Sequence, residues 1–93
     1  MKIKHFAGYG TVNAKKLKLE TVDGITTLVV EVTGDHEWGL VRRNDPYLIK
    51  RWLVERFDKT MRDDHLVNIW GLDYTVDYDW SSPVERAVYT ITY

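Results

Sequence analysis

Asp23-Gly24 is the pair of residues that most constrains how this chain folds. A two-residue hairpin loop of the type I′ kind needs a positive φ at both central positions, and Asp-Gly is among the few pairs that accept it. The flanks agree with a hairpin. Upstream, residues 15–22 set Leu17 and Leu19 between Lys16, Lys18 and Glu20, the period-two pattern of a strand with one wet face. Downstream, residues 25–33 (ITTLVVEVT) are dense in β-branched side chains and form the clearest strand signal in the chain. Residues 2–9 alternate loosely and read as a further strand, with Gly8 and Gly10 marking a bend or bulge. A turn over 34–37 and a short strand at 38–42 complete a meander.

The period then changes. Asp45 is a candidate N-cap, and Pro46 suits the first helical position. Leu48, Ile49, Trp52, Leu53 and Phe57 recur at helical spacing, which predicts an amphipathic helix over about 46–58. Lys50, Arg51, Glu55 and Asp58 fall on the opposite, wet face, while Arg56 lies inside the apolar arc. Beyond a polar loop at 58–65, Val67 and Ile69 place odd positions inward, whereas Leu72, Tyr74, Val76, Tyr78 and Trp80 place even ones inward. A bulge or bend at Trp70-Gly71 would produce that switch. A turn at Ser81-Ser82-Pro83 precedes a last strand in which Ala87, Tyr89, Ile91 and Tyr93 alternate. The expected fold class is α+β, an antiparallel sheet of five to six strands with a single helix packed on one face.

A chain of 93 residues fits one domain, here 1–93. A domain of this size buries only about 60–65% of the surface its unfolded chain exposes, so area recovered by association would matter to it. Four Trp and six Tyr supply large buried areas to a small core, and the same residues are favoured in interfaces. With no cysteine there is no disulfide, thiol nucleophile or thiolate metal site, which suits a reducing cytoplasmic setting. The start MKIKHFAGYG lacks the apolar run of a signal peptide, and no stretch approaches a membrane span.

Catalytic constellations are missing from the pattern. His5, His36 and His65 lie in separate elements. Asp35-His36-Glu37 crowds three donors into one turn, a poor geometry for a single ion. Ser81 and Ser82 sit in a turn beside Pro83 without a nucleophile motif. Gly8-Tyr9-Gly10 lacks the Lys-Ser/Thr and helix of a phosphate loop. No enzymatic activity, metal or cofactor is expected.

Charge placement says more. Net charge is −1, so no overall attraction to nucleic acid is expected. Lys2, Lys4, Lys15, Lys16 and Lys18 nevertheless all precede the first acidic residue, Glu20. Asp73, Asp77 and Asp79 share one strand face with Thr75, and Asp63 and Asp64 lie upstream. The plain account is a solvated face whose carboxylates blunt a sheet edge. The sharper one is an acidic strip that contacts a basic partner surface, carboxylates on a rigid strand imitating a run of phosphates. Trp38, Tyr78 and Trp80 are candidate aromatic anchors. Two alternatives stand beside it: a nucleotide-sized ligand held by aromatics with Arg56 or Arg42 and Arg43, and nucleic acid bound through the N-terminal lysines.

The opening MKIKHFAGYGTVNAKKLKLE, in a compact, cysteine-free and aromatic-rich chain, resembles the small accessory proteins of phages and mobile elements of Gram-positive bacteria. The likeness covers mainly the first third and carries no site residue. Such proteins often bind and block a host defence or replication protein, anti-CRISPR proteins among them. The resemblance therefore implies a non-enzymatic, stoichiometric inhibitor whose partner is a host protein. A homodimer through sheet edges is a further expectation.

Overall fold

The computed structural model describes residues 2–4, 11–37, 39, 41, 46–58, 72–80 and 83–93. The order of elements is β1 (Lys2–Lys4), β2 (Thr11–Val22), β3 (Ile25–Asp35), α1 (Pro46–Phe57), β4 (Asp73–Asp79) and β5 (Val84–Thr92). They form one antiparallel sheet in the order β1-β2-β3-β5-β4 with a single helix against it, an α+β architecture. Where the sequence predicts five to six strands, the described residues hold four of seven to twelve residues and the three-residue β1. The expected bend at Gly8–Gly10, the Asp45 cap, the parity switch at Trp70-Gly71 and the Ser81-Ser82 turn lie outside the described residues. Of the strand expected at 38–42, Gly39 and Val41 are described, and both lie in turns, Gly39 with a left-handed φ of 61° that a strand cannot use.

The central hairpin forms at Asp23-Gly24. Both residues have positive φ, 53° and 78°, and Val22 pairs directly with Ile25. From there β2 and β3 zip together as far as Asn13 and Thr33, longer than the alternation alone predicts. One interruption occurs, because Lys16 opposes Val30 while Lys18 opposes Val29. Leu17 is the extra residue of a β-bulge, and it resets the parity of β2. Val12 and Ala14 are buried on one side of the bulge, whereas Leu19 packs on the core from the other.

The core lies between one sheet face and α1. Leu28, Val30 and Val32 of β3 and Ala87, Tyr89 and Ile91 of β5 are fully buried, and Ile49, Leu53 and Val54 join them from the helix. An isolated helix of this length is marginal in water. Burial of these three side chains, each worth about 1.5–3 kcal/mol, is therefore what holds it.

The helix presents the predicted face and a wider arc besides. Ile49 and Leu53 are buried and Trp52 and Phe57 pack half-buried against the core, as the spacing predicts, while Lys50, Val54 and, just beyond the helix end, Asp58 are buried as well. The correction has a physical cause: two side chains assigned to water, Lys50 and Asp58, find specific polar partners inside. Arg56 is exposed, and its guanidinium carbon lies 5.6 Å from the centre of the Trp52 ring.

Candidate protein-interaction surface

The outer sheet face, opposite the helix, is built by register. Adjacent strands place Lys15, Glu31, Val88 and Asp77 in one row, and Lys18, Val29, Thr90 and Thr75 in the next. Across this face charge runs from lysine on β2 to aspartate on β4. Midway, Arg86 Nε approaches Glu31 Oε2 to 3.4 Å, and on β2 Lys18 Nζ lies 3.2 Å from Glu20 Oε1. Both pairs are open to solvent and worth about 0–1 kcal/mol each.

Strand β4 is the last in the sheet, and Asp73, Thr75, Asp77 and Asp79 are all exposed on its outer face. The even positions behave in two ways. Leu72 is buried and Tyr74 and Val76 are half-buried, as the alternation predicts. Tyr78 and Trp80 depart from it, being 42% and 40% exposed with their rings stacked 4.3 Å apart. Tyr78 pairs with Ala87, which is fully buried, so inward parity alone does not decide burial at this edge strand. Tyr78 and Trp80 therefore join the three carboxylates at one sheet edge. Trp38, Arg42 and Arg43 lie outside the described residues.

The opposite edge is basic. β1 pairs only with Thr11, Val12 and Asn13, so among the described residues Lys15–Val22 has a strand partner only on the β3 side. Lys15, Lys16 and Lys18 are exposed along that stretch, together with the bulged Leu17. Lysines and a bulge are common guards of an open strand edge.

Among the described residues, three polar couples, each with one buried member, went unread in the sequence. Lys50 is 2% exposed; its Nζ donates to the Leu72 carbonyl at 2.7 Å and stands 4.6 Å from the centre of the Tyr74 ring. The helix is thereby tied to the residue that opens β4. Tyr93 donates its hydroxyl to Asp58 Oδ2 at 2.6 Å, joining the end of the sheet to the end of the helix. Burial, and then the Asp58 carboxylate, raise the Tyr93 phenol well above its ordinary range. Glu85 is fully buried with a carboxylate oxygen 3.1 Å from His36 Nδ1, and the His36 amide donates to the Pro83 carbonyl at 3.0 Å. A signal for Glu85 was present, since it shares the inward parity of Ala87, Tyr89 and Ile91. In the same turn Asp35 Oδ1 accepts from the Glu37 amide at 2.7 Å. Among the described residues no group of three His, Cys, Asp or Glu could hold a metal ion.

An open groove of about 410 Å³ runs beside the β2–β3 hairpin, lined by Leu19, Glu20, Thr21, Thr26, Asp58 and Tyr93. Its volume would admit a small ligand. Among the described residues its lining carries two carboxylates and no cation, and Arg56 is not part of it. No described helix is long and apolar enough to cross a membrane. No family model, curated protein or solved structure matches this chain.

Proposed function

We propose that the chain is a non-enzymatic protein-binding accessory protein that engages a basic surface of a host protein through β4. The observation that carries this reading is a single edge: Asp73, Asp77 and Asp79 exposed on one strand that ends in an exposed, stacked Tyr78–Trp80 pair. Carboxylates held on a hydrogen-bonded strand lose little freedom on binding, and they steer a cationic partner from a distance. The aromatic pair supplies the apolar area that charge alone does not. The likeness of the first third to accessory proteins of phages and mobile elements points to a host defence protein as the target and to inhibition by occupation, in the cytoplasm.

Affinity capture with the tagged chain from a Gram-positive lysate at moderate salt tests the reading, with an Asp73→Asn/Asp77→Asn/Asp79→Asn variant run alongside. One stoichiometric partner, released by salt and lost with the variant, supports it. A partner retained equally by the variant removes the acidic strip from the reading. A lane without protein turns attention to a small ligand or to nucleic acid.

A further inference from the structure

The two edges of the sheet match each other. We propose that β4 of one molecule adds to Lys15–Val22 of β2 in a second copy, the open stretch that among the described residues pairs only with β3, so that the chain associates head to tail through its own sheet.

Direction comes first. β2 runs antiparallel to β3, β3 to β5 and β5 to β4, so β2 and β4 run in opposite directions. Sliding a second copy along the sheet places its β2 antiparallel to the first copy's β4, with the same faces up.

Length and charge then fix the register. β4 has seven residues, and the open stretch Lys15–Val22 has eight, of which Leu17 is the bulged extra. If β4 pairs there as β3 does, skipping Leu17, Asp79 opposes Lys15 and Asp77 opposes Lys18. Tyr78 then meets Lys16, Val76 meets Leu19, Thr75 meets Glu20 and Asp73 meets Val22. Both aspartate–lysine pairs fall on the outer face, Tyr78 presents a ring to an ammonium, and Val76 meets an apolar partner. No like charges are opposed. The register two residues along would set Asp73 against Glu20 and drive Asp79 into the residues β1 occupies.

The charges also exclude the isologous alternatives. β2 against β2 gathers lysines, and β4 against β4 gathers aspartates, both opposed by like-charge repulsion. Only the unlike pairing is attractive, and it leaves one edge of each kind free at the ends. Such association does not close at a dimer.

Sedimentation velocity on the full chain over a concentration series tests the proposal. The mean mass should rise with concentration past that of a dimer, and the association should disappear in ~1 M salt, where the Debye length is about 3 Å. Lys15→Glu/Lys18→Glu and Asp77→Lys/Asp79→Lys should each remain monomeric while keeping the parent circular dichroism spectrum. Mixed in equal amounts, they should associate again, since each then offers the edge the other lacks. A monomer at every concentration in low salt, a closed dimer, or a mixture of folded variants that stays monomeric overturns the proposal. If either pair of substitutions unfolds the chain, Lys16→Glu and Asp79→Asn alone, each expected to weaken association at least about tenfold, take their place. The result is separable from the host-protein reading, because Lys15→Glu/Lys18→Glu ends self-association while leaving the acidic strip intact for capture.

Discussion

At the scale of single residues, stability rests on polar side chains that a hydropathy pattern assigns to water. Lys50 contributes an ammonium held by the Leu72 carbonyl and by the Tyr74 ring, with its stem packed in the core. Lys50→Ala should cost about 2–4 kcal/mol, the lost packing together with a buried carbonyl left without its donor. Arg56→Ala, on the exposed side of the same helix, should cost within about 0.5 kcal/mol; urea titration of the two variants measures the contrast. Tyr93 makes a second test. Its raised phenol pKa means the folded state holds the proton more tightly than the unfolded chain does. The contribution is thus fully present below the ordinary tyrosine range near 10.0 and is lost as pH rises through the higher folded value. Tyr93→Phe should cost about 1–2 kcal/mol at neutral pH, and the gap to the parent should narrow above about pH 10. Thermal melts of both proteins across that range measure it, and a gap independent of pH would refute the assignment.

Among the elements, the β2–β3 hairpin is where sequence and structure agree most closely, because turn chemistry is local. Asp23-Gly24 sets the register for every pair that follows. A Cβ added at Gly24 would meet nothing within 4 Å, so Gly24→Ala isolates backbone strain at a φ of 78°. The expected cost is about 1–2 kcal/mol with no change in the folded spectrum, read by denaturant unfolding. The alternation of Ala87, Tyr89 and Ile91, and the outward set of Asp73, Asp77 and Asp79, were legible for a similar reason: period two depends only on the strand itself. What escaped the sequence depends on tertiary partners. The bulge at Leu17 lies inside a run of lysines whose spacing shows no break, and it became visible only against β3. The buried face of the helix is wider than its periodicity shows, because Val54 and the aliphatic stem of Lys50 supply buried area that a charge count overlooks. Tyr78 and Trp80 follow the inward parity of β4 and are exposed all the same, so period two by itself does not fix burial on an edge strand. Of the candidate site, the outward carboxylates and their place at a sheet edge were readable, and the stacking of Tyr78 on Trp80 beside them was not.

On the scale of the whole molecule, the sheet separates charge without departing far from neutrality. A net charge of −1 is divided between a lysine-bearing open edge and an aspartate-bearing one, so the chain carries a transverse polarity that its composition hides. The core lies on the other face and includes none of these lysine or aspartate side chains, which are exposed. Interaction and folding should therefore be separable by mutation. Replacing Asp73, Asp77 and Asp79 with Asn moves the formal charge from −1 by three, to +2, and touches no buried group. Exposed substitutions of this kind change stability by about 0.5 kcal/mol or less each. Relief of repulsion among three carboxylates on one strand face acts in the opposite sense to any lost hydrogen bond. The triple variant should melt within a few degrees of the parent, while its capture of a basic partner falls and its remaining binding loses salt dependence. Differential scanning calorimetry and binding isotherms at two ionic strengths on the same preparations decide the matter. A variant that keeps its melting temperature but not its partner places the strip in recognition. Loss of both together would mean that the carboxylates support the fold, and the acidic edge would then be a structural feature of β4.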